Sequence, residues 1–153
     1  MIEIERKFLV LSEDYKQQAT TKISMVQGFL NTDAQRTVRV RVMGNKGFLT
    51  VKGKSSENGT TRFEWEREIS LEDARQLLPL CEDFILDKTR YIVPFGGHTF
   101  EVDAFHGVHK GLVIAEIELQ SEDEAFEKPD WLGQEVTGDV QYYNSELSKR
   151  KHL

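Results

Sequence analysis

Residues 1–10 read MIEIERKFLV. The alternation has a period of two, the repeat of a β-strand rather than a helix. It puts Glu3, Glu5 and Lys7 on one face and Ile2, Ile4, Phe8 and Val10 on the other. One strand cannot say which face turns inward. The answer depends on what the rest of the chain lays beside it.

The same pattern recurs along the chain. Strand-like stretches occupy residues 1–10, 24–31, 36–43, 47–54, 61–69, 87–95, 98–106 and 111–120. Gly44-Asn45, Asn58-Gly59, Gly96-Gly97 and Gly107 separate several of them. Such residues reach the positive φ that tight hairpins need, and connections this short imply antiparallel neighbours. Helical signals are fewer. Residues 12–19 form a short segment. Ser70 reads as an N-cap before Glu72 and Asp73, with Leu71, Ala74, Leu77 and Leu78 on one face and Pro79 as the stop. Residues 121–126 read as a further turn, and residues 144–151 as a C-terminal helix ending in a basic run. The pattern predicts a mainly β (α+β) fold: a closed eight-stranded antiparallel β-barrel flanked by a few helices. No repeat or linker interrupts it, so residues 1–153 read as a single domain.

Composition narrows the function classes. The net charge is −6, which disfavours non-specific binding to nucleic acid or anionic membranes. Cys81 stands alone and can form no internal disulfide. It reads as a core residue, and no histidine forms a metal-type spacing with it. The N-terminus has neither the basic start nor the apolar stretch of a signal peptide. No apolar run approaches the roughly 20 residues of a membrane helix. A cytoplasmic protein is expected, with no membrane partner and no nucleic acid.

The charged faces carry most of the functional information. Alternation alone favours the ordinary arrangement of apolar residues inside and charges in water. Two details argue otherwise. First, the signs are sorted by strand. Arg39 and Arg41, Lys52 and Lys54, and Lys88 and Arg90 form cationic stretches. Glu101 and Asp103, then Glu116 and Glu118, form acidic ones, and Glu64, Glu66 and Glu68 follow Arg62. A solvated face commonly mixes signs, because like charges on neighbouring strands repel. Second, guanidinium forks suit phosphate oxygens, and clustered carboxylates suit hard divalent cations. Together they suggest a site for a metal–polyphosphate complex inside the barrel. Buried charges need such a ligand or water to be tolerable.

At these positions the chain resembles the CYTH superfamily, also called triphosphate tunnel metalloenzymes. Glu3-x-Glu5-x-Lys7 resembles the family's opening motif. TVRVR (37–41), LTVKG (49–53), TRFEWE (61–66), KTRY (88–91), EVDAF (101–105) and GLVIAEIEL (111–119) are similar to its later strands, in family order. PDWLGQEVTGD (129–139), Tyr142 and Asn144 resemble its ending. The resemblance implies a charged tunnel that binds a small polyanionic substrate with Mg2+ or Mn2+. The expected activity is metal-dependent hydrolysis of a triphosphate phosphoanhydride, foremost inorganic tripolyphosphate and then nucleoside triphosphates. Arg39, Arg41, Lys52, Arg62, Lys88 and Arg90 are the expected phosphate ligands. Glu3, Glu5, Glu64, Glu66, Asp103, Glu116 and Glu118 are the expected metal ligands. Lys7 is expected to orient or deprotonate the attacking water. Lys54 falls on the border of this set.

Other residues read as structural. Glu68 and Glu101 read as rim or solvent positions. Trp65 and Trp131 read as packing residues, and His106 and His109 as non-ligands. Tyr142 and Asn144 are expected to settle the C-terminal helix. A class IV-type adenylyl cyclase or a thiamine triphosphatase would need an aromatic or amide-lined pocket, which the charged faces do not clearly offer. A polyphosphate or nucleotide sensor would not need so many carboxylates. A second copy of the chain could cover the apolar outer wall as a homodimer.

Overall fold

The computed structural model describes residues 1–149. Nine strands form one continuous sheet: β1 (Ile2–Val10), β2 (Thr21–Asn31), β3 (Arg36–Met43), β4 (Lys46–Gly53), β5 (Thr61–Ile69), β6 (Glu82–Phe95), β7 (His98–Phe105), β8 (Val113–Glu118) and β9 (Leu132–Glu135). The order is β5-β4-β3-β2-β6-β7-β8-β1-β9, and a β5–β1 pairing closes it into a barrel. All of its strand pairs are antiparallel. Eight strands form the closed barrel, and β9 is an addition that the sequence did not announce. It takes the side of β1 that β5 leaves. Ile2–Ile4 pair with β5, while Phe8 and Val10 pair with β9. LGQE is too short, and too poor in β-formers, to show a period of two.

Other boundaries differ from expectation. β2 begins at Thr21, β6 begins at Glu82, and β8 runs only from Val113 to Glu118. The long β2 and β6 lie side by side, and their register shifts between Gln27 and Phe29. Gly28 lies at that shift, where an added Cβ would come within 2.7 Å of Cys81 and Ile85 side-chain atoms. Only glycine lets the two segments approach so closely.

The helices are short. They are α1 (Tyr15–Gln18), α2 (Leu71–Leu77) and α3 (Asn144–Leu147). The Ser70 hydroxyl caps α2 by accepting from the Asp73 amide at 3.0 Å. Pro79 lies in the 3-10 turn Leu78–Leu80 that continues α2, so the chain turns on one residue beyond it. Residues 121–126 form no helix. Glu122 instead accepts from the hydroxyls of Thr60 and Thr61, tying this segment to the loop before β5. The helix expected over 144–151 ends at Leu147, and residues 150–151 lie outside the described residues. No described helix is long and apolar enough to cross a membrane.

The apolar side chains face outward from the barrel and are covered there. Phe8, Val93, Phe100, Val102, Ala115 and Ile117 pack beneath Tyr15, Leu119, Trp131 and Leu132. Trp131 meets Phe100 and Tyr15 edge-on, at 5.5 and 5.9 Å between centroids. Its indole N–H donates to the Gln18 side chain, which satisfies its one polar atom. A second cluster of Leu86, Phe105, Ile114 and Leu147, joined by Leu112 and Tyr142, fills one end of the barrel under α3. Near the β1–β5 junction the outer wall is open, with Ile2 and Phe63 exposed.

Candidate active site

The charged faces point into the barrel. They line an open cavity of about 210 Å³. Glu3, Glu5 and Lys7 reach it from β1, Arg39 and Arg41 from β3, and Lys52 from β4. Arg62, Glu64 and Glu66 reach it from β5, Arg90 from β6, and Glu116 and Glu118 from β8. The outward-packed apolar residues alternate with these, so the period of two fixes both layers at once.

Three groups of contacts organise the wall. On β3–β5, the Arg39 Nη2 donates to Glu66 at 3.2 Å and to the Thr50 hydroxyl at 3.1 Å. That hydroxyl donates to Glu66 at 2.6 Å. Lys52 donates to both oxygens of Glu3, at 3.1 and 3.0 Å, and lies 3.3 Å from Glu64. Arg62 is tied back to the Gly53 carbonyl at 3.2 Å. The Arg39 Nε is buried and has no hydrogen-bond partner among the described residues.

On β6–β7, Asp103 receives a two-pronged contact from Arg90, at 2.8 and 2.9 Å, and lies 2.7 Å from the Lys88 ammonium. Burial works against each of these charges. Lys88 is pulled down to about 7 by burial, against the attraction of Asp103. Burial opposes ionisation of Asp103, but Arg90 and Lys88 outweigh it and hold the carboxyl below its usual range. Asp103 in turn raises Arg90 well above its ordinary value, despite burial.

On β1–β8, one like-charged pair and one opposite pair meet. Glu5 lies opposite Glu118 and Lys7 opposite Glu116 in the pairing register. Glu5 touches the cavity, yet burial is the largest cause that pushes its carboxyl well above the usual range, followed by Glu116 and Glu3. Glu116 goes the other way. Burial opposes its ionisation, but Lys7, the hydrogen bond from Glu5 and Arg90 bring it down to about 2. The two carboxyls are thus pushed in opposite directions, Glu5 up and Glu116 down. Glu3 and Glu64 make a second such pair. Burial raises Glu3, and its hydrogen bond to Glu64, together with Lys52, lowers Glu64 against burial. Among the described residues, no three acidic, histidine or cysteine side chains form a closed ligand group.

Lys7 lies below this acidic pair. Its ammonium is 3.4 Å from the Tyr142 carbonyl and 5.2 Å from the centre of the Tyr143 ring. The Tyr143 side also supplies Asn144 and Ser145 to the lining, so the C-terminal segment forms part of the cavity wall.

The CYTH domain family matches residues 1–152 of this chain. The chain belongs to the CYTH family. An inorganic triphosphatase of Acetivibrio thermocellus is 48% identical over 151 residues, covering 98% of this chain and 95% of that protein. An inorganic triphosphatase of Nitrosomonas europaea is 38% identical over 152 residues, covering 97% of each. The crystal structure of the inorganic triphosphatase NE1496 superposes with a TM-score of 0.70 at 35% identity, over 97% of this chain and 95% of that one. A Hippeastrum protein described as a putative adenylyl cyclase with dominant triphosphatase activity has a TM-score of 0.60 at 13% identity, covering 78% of this chain and 80% of that one. That likeness extends to the fold alone.

The CYTH barrel brings together twelve of the fourteen residues named from sequence; the other two, Lys88 and Asp103, lie behind the wall. Lys88 is fully buried and Asp103 is 2% exposed, each engaged by the other. Lys54 is exposed and outside the lining, as is Glu68. Glu101, read as a rim residue, lines the cavity and lies 3.3 Å from Arg90, because its register places it opposite Glu116. His106 bonds to the Thr89 hydroxyl and His109 to the Leu147 carbonyl, both away from the cavity. Sequence reading missed the hydroxyls of Thr37, Ser55, Thr60 and Thr137, and the aromatic rings of Phe29 and Tyr143. It also underused Asn144, which reaches the cavity rather than only seating α3.

Proposed function

We propose that this chain is a phosphoanhydride hydrolase that cleaves inorganic triphosphate to pyrophosphate and phosphate with Mg2+ or Mn2+. The observation that carries the reading is that Arg39, Arg41, Lys52, Arg62 and Arg90 line one cavity together. Guanidinium forks and ammonium groups gathered around one space suit phosphate oxygens. Arg39, Arg41, Lys52, Arg62 and Arg90 would bind the phosphates, with Lys88 behind them keeping Asp103 in place against Arg90. Preorganised positive charge of this kind supplies most of the catalysis in phosphoryl transfer. The 48% identity to an inorganic triphosphatase supports the same substrate.

The donor set fits a hard divalent cation. It consists of carboxylate oxygens, and burial pushes Glu5 and Glu3 above their usual range, with Glu116 adding to it at Glu5 and Glu64 at Glu3, a repulsion that a cation relieves. Glu3, Glu5, Glu116 and Glu118 would hold the ion, with Glu64 and Glu66 assisting. Mg2+ commonly keeps waters and takes further oxygens from substrate phosphates, so it needs few protein carboxylates. When bound, the ion neutralises phosphate charge and polarises the bond to be cut. Lys7, held by the Tyr142 carbonyl, would orient the attacking water. Asp103 is a positioning residue in this reading, because both of its oxygens are taken by Arg90 and Lys88.

A cavity of about 210 Å³ is smaller than the roughly 300–1,000 Å³ of pockets that enclose drug-sized ligands, which favours an inorganic chain over a nucleotide. A lone cysteine and the acidic charge balance support a cytoplasmic setting. The test is to supply tripolyphosphate, ATP and thiamine triphosphate, each with Mg2+ or Mn2+. Equal amounts of phosphate and pyrophosphate from tripolyphosphate are expected, in preference to the other two substrates. Cyclic AMP with pyrophosphate from ATP would replace this reading with a cyclase.

A further inference from the structure

Gln27 stands out in β2 as a fully buried amide inside the barrel. Its carbonyl oxygen accepts from the Arg41 Nε at 2.9 Å. Its amide nitrogen donates to the Asn144 Oδ1 at 3.0 Å. That oxygen also accepts from the Lys88 ammonium at 3.3 Å. The orientation of both amides follows from their partners. Reversing Gln27 would set an N–H against the Arg41 N–H and a carbonyl against the Asn144 carbonyl. Reversing Asn144 would set its amino group against two donors. The network is self-consistent in only one sense.

The consequence falls on Arg41. Holding a guanidinium at Nε fixes the plane of its fork. No acceptor among the described residues takes the two terminal nitrogens, and Arg41 lines the cavity. Burial, with Arg39 and Arg90 nearby, works against its charge, so its neighbours would otherwise drive the side chain away. Asn144 begins α3, whose Leu147 packs into the apolar end of the barrel. The line from Leu147 through Asn144 and Gln27 to Arg41 is therefore continuous.

We propose that Gln27 and Asn144 are positioning residues that hold the Arg41 fork towards a phosphate, and that seating of α3 sets their geometry. The inference rests on the triphosphatase reading for what Arg41 binds. Neither residue needs to touch the reacting atoms. Removing Gln27 leaves the Arg41 Nε buried without an acceptor, a group that will then turn to find one.

A double-mutant cycle tests this directly. Gln27→Leu is expected to lower kcat/KM for tripolyphosphate about tenfold in the native background, and less than about twofold in an Arg41→Ala background. Gln27→Glu keeps the acceptor for Nε but loses the donor to Asn144, and is expected to recover only part of the loss. An equal loss in both backgrounds overturns the proposal, because Gln27 would then support the fold at large. No loss in the native background overturns it too. Should Gln27→Leu not fold, the same cycle is run with Asn144→Ala, where about threefold and no further loss are expected. Equal losses there mean that Asn144 acts independently of Arg41, which defeats the relay. An inactive wild type would instead defeat the triphosphatase reading. The Arg41 Nε–H resonance then decides the relay by itself: it should move in Gln27→Leu or Asn144→Ala, and an unmoved signal rejects it.

Discussion

The β6–β7 wall and the β1–β8 wall of the tunnel are built from similar residues to opposite effect. On β6–β7, two cations share one aspartate, with contacts of 2.7–2.9 Å, and Glu101 adds a further carboxylate 3.3 Å from Arg90. On β1–β8, Glu5 faces Glu118, Lys7 alone stands opposite Glu116, and the Glu5 carboxyl is pushed well above its usual range, most of all by burial. The first wall is paired within itself. The second carries more negative charge than its one lysine offsets. Charge inside a protein is thus tolerable in two ways, by internal pairing or by reserving it for a ligand, and this barrel uses one on each side.

The sharpest way to break the contrast is Asp103→Asn. Lys88 would be left buried without a counter-charge and Arg90 with only Glu101 at 3.3 Å, and a loss of about 3–5 kcal/mol is expected. That corresponds to a melting point lower by roughly 10 °C. Activity lost with the melting point unchanged would instead make Asp103 a metal ligand.

Glu5→Gln probes the other wall and should have the reverse pattern. Activity is expected to fall at least about a hundredfold. Stability near pH 8 is expected to rise by roughly 1 kcal/mol, as removal of a strained functional group often allows. The sign follows from linkage. Glu5 in the folded chain keeps its proton above the ordinary 4.5, so unfolding releases it. Metal-free stability therefore falls as pH rises from about 4.5 through the folded value. Glu116 contributes oppositely: its stabilisation is present above the ordinary 4.5 and is lost as pH falls towards about 2. Melting curves of the metal-free protein between about pH 5 and 8 should slope downward, flatten in Glu5→Gln, and be lifted by Mg2+ only in the native chain.

The smallest effect belongs to the outer surface. Arg6 and Glu135 form a two-pronged pair at 2.8 and 2.7 Å on the outward face of β1. Arg6→Ala should cost at most about 1 kcal/mol and leave turnover unchanged. A large loss of activity there would mean that the β1–β9 contact shapes the tunnel.

The orientation of β1 was legible because charge signs were sorted by strand and the strands were numerous enough to close. Glu3, Glu5, Arg39, Arg41 and Glu116 could all be assigned to the interior on that basis. Depth was not legible. A period of two gives the face but not the distance along the barrel axis, so Lys88 and Arg90 looked equivalent although only Arg90 reaches the cavity. Glu101, read as a rim residue, lines the cavity with a side chain still 41% exposed, and its contact with Arg90 was not legible for the same reason. Gln27 carried no signal at all: a neutral amide within MVQGF looks like an interruption of an apolar strand. β9 was too short to register. The part of the site contributed by α3 depends on a long-range return of the chain, which no local pattern encodes.

The apolar cluster under α3 has a consequence for traffic. Leu86, Phe105 and Ile114 share strand faces with the charged residues and are buried against Leu147, so a charged fragment finds no polar exit there and is expected to back out the way it came. A channel open at both ends can discharge a fragment forwards while the next molecule follows. A blind one is a queue of length one. The last fragment held by the arginines then stands in the path of the next arrival, and the clearance of the cul-de-sac, rather than the bond broken inside it, becomes the natural place for a throttle.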